Sequence, residues 1–224
     1  MQIVVLGKFN PAICSPAWFA HNGLLRESVA TNAQVQVVHP QVTDFTADWL
    51  HLQVTDDRFA AGTQQAPYGR LRDLVVRVFS ECLHHTPLKA FGINRNVHFL
   101  VRDAAARDMI GTTLAPVEPW GPWREELDLD GQFGGMTAVR MAQLRPDGRH
   151  RGGQINVTVE PSAQVGREGG TGVYVGVNDH FVTDQEGADS AARLMEILAD
   201  EFMRSQERSD GIIDHIMSLS QKEG

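Results

Sequence analysis

From Leu88 onward the chain runs a second time through the order of elements that fills its first 87 residues: a leading strand, a short helix, several antiparallel strands and a long amphipathic helix. That order limits the fold more than any local motif does, because a helix with one apolar stripe and a sheet with one apolar face must bury them against each other. The class it predicts is α+β. Residues 1–87 and 88–224 are expected to form two β-α-β-meander-α pseudo-repeats that share a curved antiparallel sheet, with the long helices on one face and the whole making one compact unit. The halves correspond in order and spacing, not in residue identity.

Period and punctuation define the elements. A strand through Ile3 and Leu6 stops at Asn10-Pro11, since proline has no amide hydrogen to give. Ser15-Pro16 has the form of an N-cap and a first-turn proline, opening a short helix through Trp18, Phe19 and Leu24. Apolar residues then alternate through Val35, Val37, Val42, Leu50, Leu52 and Val54, a period that means strands, and Asp56-Asp57 turns the chain back into Phe59 and Ala61. Leu71, Leu74, Val75, Val78, Phe79, Cys82 and Leu83 fall at helical spacing until Thr86-Pro87 ends the helix.

In the second pass residues 88–101 read as a long strand, with Gly92-Ile93-Asn94-Arg95-Asn96 as a bulge or bend within it. Asp103 is placed to cap a short helix over 104–114. Further strands are expected near Leu127 and over 136–144, 155–159 and 173–177, with a hairpin at Pro146-Asp147-Gly148. Thr183 or Asp184 would cap the last helix. Its apolar face holds Ala191, Leu194, Met195, Leu198 and Phe202, with a kink or break expected at Gly211.

In this arrangement the chain resembles the tandem TATA-binding-protein-like plan, in which two such units share a sheet and the long helices cover its convex side. The resemblance is one of topology and covers nearly the whole chain. It implies a broad sheet surface, which favours binding over a catalytic pocket.

Composition narrows the classes further. With 42% hydrophobic and 21% charged residues the chain is too apolar to stay disordered. No apolar run approaches the roughly 20 residues that span a bilayer, and Met1 to Phe9 lacks the basic and small-residue flanks of a leader, so a cytoplasmic location is expected. Cys14 and Cys82 fit neither a zinc spacing nor a redox pair. The formal charge of −8 argues against broad phosphate-backbone binding, which depends on a basic face.

Each candidate for chemistry has a plainer rival. Gly166-Arg167-Glu168-Gly169-Gly170-Thr171-Gly172 leads into the strand pattern Val173-Tyr174-Val175, so it reads as a hairpin connection, not a phosphate loop. Cys82 with His84 and His85, and Asp179 with His180 and Asp184, match no metal motif; no metal or cofactor is expected. Arg145, Arg149, His150 and Arg151 form a basic group on the predicted hairpin, suited to an acidic partner surface or to protecting a sheet edge. Trp120 and Trp123, in a Pro- and Gly-rich segment, are either a rigid binding surface or a plug for the sheet.

The sequence therefore points to a non-catalytic protein that binds a macromolecule. The partner is expected to be another protein, and a basic one suits the charge, as for an immunity- or antitoxin-like protein or an assembly partner. Trp120, Trp123, Arg145, Arg149, His150 and Arg151 are the candidate binding residues. One alternative is an enzyme or small-ligand protein with a pocket between sheet and helices, using Asp179, His180 or His98 as acid–base groups. Another is a nucleic-acid binder that uses the sheet and the basic hairpin.

Overall fold

Along the first strand, β1 (Gln2–Gly7), Ile3 and Val5 are fully buried while Gln2, Val4 and Leu6 between them are not. The same alternation runs through β3 (Val42–Ala47) and β4 (Leu50–Thr55), where Phe45, Leu50, Leu52 and Val54 point inward. A pleated strand sends successive side chains to opposite faces, so these residues define one core face and one outer face. The computed structural model describes residues 1–122, 136–145, 153–183 and 189–221.

The remaining strands are β2 (Gln34–His39), β5 (Arg58–Gly62), β6 (Leu88–Leu100), β7 (Val139–Leu144), β8 (Gln154–Pro161) and β9 (Gly172–Val182). Among the described residues nine strands form one open antiparallel sheet in the order β2-β3-β4-β5-β1-β6-β9-β8-β7. Among the described residues five α-helices accompany it: α1 (Pro16–His21), α2 (Glu27–Thr31), α3 (Gly69–Arg77), α4 (Ala104–Leu114) and α5 (Asp189–Leu219). The α+β class expected from sequence is thus observed. No helix is long and apolar enough to cross a membrane among the described residues.

The chain packs as two units, one of residues 1–95, 143–155 and 178–206, the other of residues 96–142, 156–177 and 207–224. In the first unit Phe19 of α1, Leu71 and Val75 of α3, and Leu194 and Leu198 of α5 join the inward strand residues in one core. Phe45, Phe59, Phe79, Phe91, Phe181 and Phe202 fill it, each fully buried, and burial of such a side chain contributes about 1.5–3 kcal/mol. The core residues of the second unit are smaller, among them Ala106, Ile110, Val173, Val175, Ile213 and Ile216.

Local chemistry sets the helix ends as the sequence indicates. Ser15 Oγ accepts from the Trp18 amide at 3.3 Å with Pro16 in the first turn, and Asp103 Oδ1 accepts from the Ala106 amide at 2.8 Å. The helical spacing through Leu83 is met in two parts: α3 gives way to a wider π turn over Val78–Cys82, which the Leu83 amide closes on the Val78 carbonyl at 2.8 Å.

Two expectations are corrected. Against β1, β6 keeps a regular register from Ala90 through Asn94; the register shifts at Leu6/Gly7, where β6 advances by two residues, from Ala90 to Leu88. Gly92 is needed for another reason, since a Cβ there would stand 2.6 Å from Asn178 Nδ2. Nor does α5 break at Gly211, which continues the helix in open surroundings. The strand expected near Leu127, the hairpin turn at Pro146-Asp147-Gly148 and the Asp184 cap lie outside the described residues.

Candidate functional site

The outer face of the first unit carries polar side chains that alternate with its core residues. Ladder register sets Asp44 of β3 beside Gln53 of β4, and Gln53 beside Ala60 of β5. Gln53 Nε2 donates to Asp44 Oδ2 at 2.8 Å, His51 Nε2 donates to Asp44 Oδ1 at 3.1 Å, and Arg58 Nη1 donates to Gln53 Oε1 at 3.1 Å. Each side chain fixes the next across strands, so the row is ordered before anything binds.

Beyond Arg58 the face dips. Val4 of β1 lies between Ala60 and Gly92, two residues with little or no side chain, while Gln2 lies beside Asn94 and Leu6 beside Arg58. Asn178 of β9 reaches over Gly92 and donates to Asn94 Oδ1 at 2.7 Å. The result is an open depression of about 280 Å³ whose floor is Val4, Leu6 and Gly92 and whose rim is Gln2, Arg58, Asn94, Asn178 and His180. Burial, and after it the charge of Arg145, holds the His180 imidazole below its ordinary value, which favours its neutral form.

Asp179 precedes His180 in β9 and points the other way. It is fully buried and paired with Arg145, whose guanidinium also lies 3.9 Å from the Phe181 ring centroid. Gly153 makes room for this: a Cβ there would meet Arg145 Cδ at 2.9 Å. Arg145 is therefore not on an exposed hairpin tip; its side chain is 8% exposed. Asp179 and His180 occupy opposite faces of the strand and form no acid–base pair.

His98, in the second unit, is held to a loop. Its Nδ1 accepts from Ser162 Oγ at 2.9 Å, while that oxygen accepts from the Gln164 and Val165 amides at 3.0 Å each. The segment from 162 to 171 joins β8 to β9 as the glycine-rich hairpin connection expected, with Gly166 and Gly170 at φ of 61° and 62°. Trp120 ends a short turn over Glu118–Trp120 and is 64% exposed. Trp123, Arg149, His150 and Arg151 lie outside the described residues.

Between sheet and helices of the first unit lie the phenylalanines of the core. The outer depression was not anticipated. Its signal is a period of two among outward-facing residues, Gln2-x-Val4, Gly92-x-Asn94 and Asn178-x-His180, visible only once strand order sets those segments side by side. Compared with known proteins, the chain matches no family model and no curated relative.

Proposed function

We propose that this chain is a protein-binding module whose binding surface is the outer face of its sheet. One observation carries the reading: among the described residues of the first unit α1, α3 and α5 contribute to the core on one face, while the other presents ordered polar side chains around a shallow apolar floor. An open face of this kind suits a partner surface better than a substrate that must be enclosed and dried. The charge of −8 suits a partner that is basic overall, as for an immunity- or antitoxin-like protein, with long-range attraction speeding encounter. The unpaired thiols Cys14 and Cys82 fit a reducing, cytoplasmic setting.

The tandem TATA-binding-protein-like plan belongs to the same reading. Strand order supports it, since β1 neighbours β5 and β6 neighbours β9, so that each leading strand lies beside the last strand of its own pass, 1–87 or 88–224. Purification of the tagged protein from its source cells tests the function. The wild type and Met203→Arg, altered at an exposed position of α5, should retain a stoichiometric protein, whereas Leu6→Arg should lose it. Retention by Leu6→Arg, with an unchanged unfolding midpoint, would place the surface elsewhere.

A further inference from the structure

We infer that the depression on the outer face is a carboxylate site that takes an aspartate or glutamate side chain of a protein partner. The inference rests on the reading of this face as a binding surface and adds the chemistry it recognises.

Arg58 is the centre of the argument. Its guanidinium donates to the neutral Gln53 amide at 3.1 Å, and among the described residues no carboxylate lies within ion-pair distance of it. Arginine is always charged, and its planar fork matches a carboxylate with two parallel bonds. Elsewhere in this acidic chain arginines such as Arg72, Arg77, Arg102 and Arg193 are paired with carboxylates. Arg58 instead faces the depression with its remaining donors unclaimed.

The other rim groups add donors and no competing charge. Among the described residues neither the Gln2 carboxamide nor the His180 ring has a hydrogen-bond partner, although both are partly withdrawn from water. Asn94 uses its Oδ1 on Asn178, which leaves its Nδ2 as a donor facing outward. An anion satisfies this set; a cation would meet Arg58. The floor of Val4 and Leu6 accommodates the methylenes that carry a side-chain carboxylate.

Size and openness select the source. About 280 Å³ lies just below the roughly 300–1,000 Å³ of sites that enclose a small-molecule ligand. An open site of that volume accepts one side chain from outside while the backbone that carries it stays in the interface. The acidic balance of the whole chain governs how a basic partner approaches; this local positive centre governs the register in which it settles.

The test uses the full chain and capped Gly-Glu-Gly as probe, with capped Gly-Gln-Gly and free glutarate beside it, followed by NMR of the Arg58 side chain. The glutamate peptide should shift the Arg58 signals and bind at least about tenfold more tightly than the glutamine peptide, in keeping with a bidentate ion pair. Arg58→Gln should lose that preference. Gln2→Glu, which puts a negative charge on the rim without removing any contact described above, should lose it as well while leaving the unfolding midpoint in place. Equal binding of both peptides, or a preference that survives Arg58→Gln, overturns the proposal. Tighter binding of glutarate than of the glutamate peptide also overturns it, in favour of a small-molecule site. If a copurified partner is lost on Leu6→Arg but bound unchanged by Arg58→Gln, the binding face stands and the carboxylate site falls.

Discussion

Arg145 and Asp179 meet on the core side of the sheet, where water is excluded and the Phe181 ring lies under the guanidinium. Breaking a buried pair leaves the surviving charge unsolvated, which is far costlier than the net worth of the pair itself. Asp179→Ala should therefore lower stability by about 3–5 kcal/mol in chemical denaturation, and Asp179→Asn by less. A loss within the error of the midpoint would mean that Arg145 reaches solvent. His180 gives a second outcome at this scale. Its folded-state proton affinity is depressed, first by burial and then by Arg145, below the ordinary 6.5. Below that pH the unfolded chain binds a proton that the folded chain refuses, so stability rises with pH through this window and falls on acidification. His180→Gln should flatten the fall between neutral and mildly acidic pH, measured at constant ionic strength. Neither behaviour was legible in sequence: Arg145 stands next to a turn and in a run of basic residues, which gives it the look of a surface residue, and Asp179 reads as half of a catalytic pair.

At the scale of elements the reading from sequence held where one residue type decides the geometry. Ser15 and Asp103 were legible as caps because few other side chains can accept from a first-turn amide, and the apolar stripes of α3 and α5 because burial imposes their spacing. It failed at glycines, whose role depends on what comes close. Gly92 admits the Asn178 amide, a neighbour from a strand far along the chain, while Gly211 admits nothing and costs helix stability for no contact. α5 tests both sides of this account. Leu198→Ala, at a fully buried position, should cost about 2–5 kcal/mol through lost transfer energy and a residual cavity. Gly211→Ala should add about 1 kcal/mol, seen as a higher thermal midpoint, since a methyl group there meets open space. A destabilising Gly211→Ala would show that the helix needs its flexibility.

The whole molecule explains why the fold class was legible and the depression was not. Fold class follows from the sum of many periodic segments, and a few misplaced boundaries do not change it. The depression draws on β1, β5, β6 and β9, so residues from Gln2 to His180 meet only through the order of strands, a long-range property that no local pattern encodes.

That order has a consequence for the chain as it leaves the ribosome. β1, which precedes the other described strands along the chain, lies in the interior of the sheet, between β5 and β6. Until Leu88 and the residues after it have emerged, Ile3 and Val5 belong to a strand with one unfilled edge, so vectorial synthesis holds open the row of amides and carbonyls that must later be hidden most completely. An edge left open at that stage is a template on which a second chain can add a strand, so aggregation during synthesis should be greatest before residues 88–100 emerge.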